Sequence, residues 1–130
     1  MTQPLRRYAG STILVVDDDR SNLDLLLAIL TRAGIVNVHT ESDSRLVAAR
    51  LVELDPDLLL LDLNMPHLDG RQVLGQVAEF AAGQALPVLL ITGDTGIGEV
   101  AGAAAVLTKP YDLDELLDQV AALLAGSASS

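Results

Sequence analysis

The chain has 130 residues, half of them apolar, which is enough for one domain with a core of its own. It has no cysteine, so disulfides, thiolate metal sites and a thiol nucleophile are excluded. A net charge of −10 gives no electrostatic footprint for nucleic acid, and every apolar run, Leu58 to Leu61 included, is far too short to span a membrane.

Residues 1–10 read as an N-terminal extension, in which Arg6 and Arg7 precede no apolar leader core. Ile13 to Val16 is a short β-branched run ending in acids, which predicts a buried strand. Leu23, Leu26, Leu27 and Leu30 then recur at helical spacing from Ser21 to Ala33, and Gly34 stops that helix. Val36 to His39 is a weak second strand, and Ser44 to Leu54 a second helix. Leu58 to Leu61 is apolar on every residue, as expected of a strand covered on both faces. A loop over 64–70 and a third helix over 71–82 follow. Val88 to Ile91 is a fourth strand and Ala105 to Leu107 a fifth. Leu113 to Leu124 is a closing amphipathic helix, and 126–130 is a flexible Gly/Ser/Ala tail.

Strands and helices alternating five times predict an α/β domain over 11–125. Its expected form is a single doubly wound, five-stranded parallel sheet in the flavodoxin-like order 2-1-3-4-5. Sites in such sheets lie outside the carboxyl ends of the strands, here where strands 1 and 3 meet.

Those ends carry Asp17-Asp18-Asp19, Asp62, Thr92 and Lys109-Pro110. Each has a bland reading by itself: acids before a helix cap it, an Asp after a strand turns the chain, and a lone Thr needs no explanation. Lys109, however, is the chain's only lysine, and the four features coincide at four strand ends. Converging carboxylates repel one another unless a cation holds them, and hard oxygen ligands suit Mg²⁺. A carboxylate nucleophile, Mg²⁺, a lysine and a hydroxyl together suit phosphoryl transfer, where catalysis is mostly positioning and charge neutralisation.

At these residues the sequence resembles the receiver domains of bacterial two-component response regulators. The matching stretches are Ile-Leu-Val-Val-Asp-Asp-Asp at 13–19, Leu-Asp-Leu-Asn-Met-Pro-His-Leu-Asp-Gly at 61–70, Leu-Ile-Thr-Gly at 90–93 and Leu-Thr-Lys-Pro-Tyr at 107–111. The resemblance implies that Asp62 is the phosphoacceptor. It implies that Asp17, Asp18, Asp62 and the backbone carbonyl of Asn64 hold Mg²⁺, for which Mn²⁺ can substitute. Thr92 and Lys109 would bind phosphoryl oxygens, Gly93 would leave the phosphodonor room, and the Lys109–Pro110 bond would be cis. Asp19 is expected to serve the helix start, and neither His39 nor His67 to bind metal. The implied protein is a cytoplasmic phosphoacceptor rather than an enzyme. Its phosphodonor would be a sensor histidine kinase or a histidine phosphotransfer protein. The signal would pass to a downstream effector, with no direct contact to nucleic acid or membrane.

Two features depart from that pattern. Lys109 follows Thr92 after only seventeen positions, and glycines 93, 96, 98 and 102 fall between them, so the fourth of the expected helices should be short or disordered. The switch position of strand 5 falls on Ala105 or Val106, so no aromatic is available there. Two alternatives remain. One is a pseudo-receiver, a binding module that is never phosphorylated. The other is a haloacid-dehalogenase-type phosphatase with Asp17 as nucleophile and Asp19 as acid/base, which leaves Asp62 unexplained.

Overall fold

The computed structural model describes residues 3–62, 73–75, 77, 79, 86–93 and 103–128. Strands β1 (Thr12–Val16), β2 (Asn37–Glu41), β3 (Leu58–Asp62), β4 (Val88–Thr92) and β5 (Ala105–Thr108) form one parallel sheet, in the order β2-β1-β3-β4-β5. Helices α1 (Arg20–Ala33), α2 (Val47–Leu54) and α4 (Leu113–Ala128) pack on it, with helical residues 73–75, 77 and 79 belonging to α3. This is the flavodoxin-like order expected from the alternation.

Side chains of a strand point alternately to the two faces of its sheet. In β3 every residue is buried, so the alternation feeds two cores. Leu58 and Leu60 join Ile13, Val15, Leu89, Ile91 and Leu107 under α1 and α4. Leu59 and Leu61 join Leu14, Val16, Val88 and Leu90 under α2 and α3. The continuous leucine run is thus what a strand sandwiched between two helical layers requires.

Asp19 caps α1, its carboxylate accepting the Ser21 N–H at 2.9 Å. Gly34 closes the helix at φ 121°, and a Cβ there would lie 2.8 Å from the Arg6 backbone, so no other residue fits. The N-terminal segment causes that crowding. Its Leu5 is fully buried in the α1/α4 core and donates its N–H to the Ala33 carbonyl at 2.8 Å.

The second helix begins as a 3₁₀ turn over Ser44–Leu46 before α2 proper. The closing helix runs on to Ala128, past Leu124 and into the segment expected as a tail. Gly126 is too weak a stop for a helix already docked through Leu116, Val120 and Leu124. The expected loop at 64–70 lies outside the described residues, as do 94–102, which hold most of the expected short fourth helix. Among the described residues no helix is long and apolar enough to cross a membrane.

Candidate functional site

The same alternation brings the charged groups together. In β1 the α1/α4 face takes Ile13 and Val15, and the next residue on that side, just past the strand, is Asp17. In β3 the series is Leu58, Leu60 and Asp62. In β5 it is Ala105, Leu107 and then Lys109. Helix α1 starts beside them.

Asp17 and Asp62 are almost withdrawn from water, at 1% and 4% exposure. Buried charges require partners. The Lys109 ammonium forms an ion pair with Asp62 Oδ2, and its backbone N–H donates to the Thr92 carbonyl at 2.6 Å. Asp17 Oδ1 accepts the Asp19 N–H at 2.9 Å, and Asp17 Oδ2 accepts Asn22 Nδ2 at 2.9 Å. The same Asn22 nitrogen lies 3.5 Å from Asp62 Oδ2, at the outer limit of a hydrogen bond. Thr92 is fully buried at the end of β4, Gly93 is exposed beside it, and the Lys109–Pro110 peptide is cis.

Three of the expected metal residues are thus described, while Asn64 lies outside the described residues. Among the described residues no group of three acids or histidines forms a ready metal cluster. What converges is the buried pair Asp17 and Asp62, with half-exposed Asp18 next along the chain. Mg²⁺ is bound by one or two carboxylates and keeps several waters, so this pair suits it. Asp19 does not join the pair: its carboxylate faces the α1 backbone and is exposed. That removes the acid/base of the phosphatase alternative.

Asn22 escaped the sequence reading. It is the third residue of α1, a position where a polar side chain ordinarily reaches back to the cap. Here it reaches further, to Asp17. The signal was a short amide donor five residues after an acid at a strand end.

Burial pushes the Asp17 pKa up from 3.8; hydrogen bonds from Asp19 and Asn22 oppose this, and the Asp62 charge adds to it. A carboxyl that binds its proton more tightly when folded loses stability as pH rises from the unfolded pKa through the folded one. In metal-free buffer, Asp17→Asn should therefore gain melting temperature relative to the parent as pH rises from about 4 towards neutrality. Parallel melting curves across that range would refute the penalty.

Beside the pair opens a groove of about 770 Å³, lined by Asn22, Leu25, Ile29, Lys109, Pro110, Tyr111 and Leu113. Burial raises the Tyr111 pKa, and the Lys109 charge opposes this.

The family model for the response regulator receiver domain matches residues 13–121. The protein PilH of Pseudomonas aeruginosa is 36% identical over 119 residues, covering 88% of this chain and 98% of the relative. The transcriptional regulator RpaA of a Synechocystis species is 38% identical over 117 residues, covering 86% of this chain but 48% of the relative. The chain therefore spans about half the length of several curated relatives. Among solved structures, a CheY-like receiver domain protein from Methanospirillum hungatei superposes with a TM-score of 0.80 at 25% identity, over 92% of this chain and 97% of that one. The Thermotoga maritima regulator TrrA, solved with Mg²⁺ and a beryllofluoride group, gives 0.76 at 25% identity, over 87% and 98%. By its fold, its strand-end residues and these matches, the chain belongs to the response regulator receiver domain family.

Proposed function

We propose that this domain accepts a phosphoryl group on Asp62 from a phosphorylated histidine of a sensor kinase or histidine phosphotransfer protein, and relays the signal to a downstream effector. The observation that carries this reading is the setting of Asp62. It is a nearly buried carboxylate at the end of β3, with the chain's only lysine on its Oδ2 and a second buried carboxylate braced beside it.

An Asp62 oxygen attacks phosphorus in line, and the P–N bond to the imidazole breaks. The electron pair stays on the ring nitrogen, which then takes a proton. Charge in this loose transition state spreads over three equatorial oxygens. Lys109 faces one of them and the Thr92 hydroxyl donates to another. Asp17, Asp18, Asp62 and the Asn64 carbonyl would hold Mg²⁺ or Mn²⁺, which would supply the remaining charge neutralisation. The metal and beryllofluoride bound by TrrA support that assignment.

The groove beside Lys109 offers the donor protein an apolar surface, with Leu25 54% and Leu113 51% exposed at its rim. RpaA is described as DNA-binding, but this chain matches only half of it, and a charge of −10 speaks against direct contact with nucleic acid. We place the domain in the cytoplasm, where the reducing environment suits a relay without disulfides.

The test is intact-mass measurement after incubation with acetyl phosphate and Mg²⁺. The parent should gain one phosphoryl group, and none in excess EDTA. A chain that stays unmodified with both acetyl phosphate and phosphohistidine donors would instead be a pseudo-receiver.

A further inference from the structure

We infer that Asn22 is a positioning residue for the divalent cation, its carboxamide fixing the Asp17 carboxylate against Asp62. The inference rests on the Mg²⁺ site proposed above.

Both oxygens of Asp17 are anchored by the start of α1: Oδ1 by the Asp19 N–H and Oδ2 by Asn22, each at 2.9 Å. Only the second anchor is a side chain. Without it the carboxylate can turn about its terminal torsion, and repulsion from Asp62 drives it away. Asn22 opposes that movement because its nitrogen also approaches Asp62 Oδ2 at 3.5 Å, across 40 positions of sequence.

The choice of an amide is chemically specific. A lysine or arginine at this place would neutralise the pair and compete with a cation. An acid would add a further negative charge. An amide donates two N–H groups without changing the charge. Each carboxylate oxygen has two lone pairs, so accepting from Asn22 leaves Asp17 Oδ2 able to coordinate. Hydrogen bonds that orient metal-binding carboxylates are worth about 10- to 100-fold in metal affinity.

Calorimetric titration of Mg²⁺ into the parent, Asn22→Ala and Asn22→Leu decides the matter. Alanine and leucine are good helix formers, so α1 is kept. Both variants should bind Mg²⁺ about tenfold more weakly. The Mg²⁺ concentration for half-maximal labelling by acetyl phosphate should move by the same factor, and the plateau rate should move less. A purely structural role would lower the melting temperature in EDTA and leave the Mg²⁺ constant where it was. Constants within about twofold of the parent in both variants overturn the inference. A parent that binds no Mg²⁺ overturns instead the site on which it rests.

Discussion

Asp62→Asn will take up no phosphoryl group from acetyl phosphate under conditions that label the parent to completion. The carboxylate oxygen is the attacking atom, and an amide, its lone pair delocalised and its charge gone, is a poor nucleophile. The substitution keeps the size of a side chain that is 4% exposed, so the sheet edge is not opened. It also removes one of two buried like charges, since Asp62 is among the groups that raise the Asp17 pKa. The Lys109 ammonium loses its partner, but that side chain is 32% exposed and water can solvate it. The variant should therefore fold, and a cooperative melting curve in EDTA would show that the lost labelling is chemical. Intact mass gives the extent of labelling, and peptide mapping of the parent gives the position. Labelling that persists in Asp62→Asn and is lost in Asp17→Asn would move the nucleophile to the end of β1.

Most of this site was legible in the sequence because it sits where the periodicity is strongest. Leu58 to Leu61 could only be a strand covered on both faces, and Asp62 is the next residue in register. Lys109 stood out as the single lysine after a short apolar run. Asp19, the third acid of its run, is expected at the helix start rather than at the metal, and its bond to the Ser21 N–H agrees.

What stayed hidden depends on contacts distant in sequence. Asn22 looks like an ordinary first-turn residue until β3 is placed beside it, 40 positions on. Leu5 is a lone apolar residue among Gln3, Pro4, Arg6 and Arg7, a pattern with no period. Its burial follows from where α1 ends and from the glycine that lets residue 34 approach Arg6. The closing helix runs past its expected end for a related reason: local propensity at Gly126 argues for a stop, and packing further back in the helix outweighs it.

Lys109→Met should destabilise the metal-free domain and, at the same time, enlarge its response to Mg²⁺. Methionine keeps the unbranched stem and removes only the charge. Asp62 is then left nearly buried without the ammonium that pairs with its Oδ2. Breaking a buried ion pair costs about 3–5 kcal/mol. The Lys109 side chain is 32% exposed, so water reaches its end of the pair and the cost falls to about 1–3 kcal/mol. For a domain of this size that lowers the melting temperature in EDTA by roughly 5–10 °C. Mg²⁺ bound by the same carboxylate replaces the missing charge, so the variant should recover more on Mg²⁺ addition than the parent gains. Chemistry should not recover with stability. The metal restores charge at the acceptor, but the cation facing the transferring phosphoryl oxygen is still absent. Loss of one such preorganised donor costs about 10²–10³ in rate. Labelling by acetyl phosphate at saturating Mg²⁺ should fall by that factor in a protein whose melting curve is nearly restored. If the variant melts with the parent in EDTA, the ion pair does not hold the resting site. If it is labelled at the parental rate at saturating Mg²⁺, Lys109 does not face the phosphoryl group, and its place at the end of β5 serves the resting domain alone.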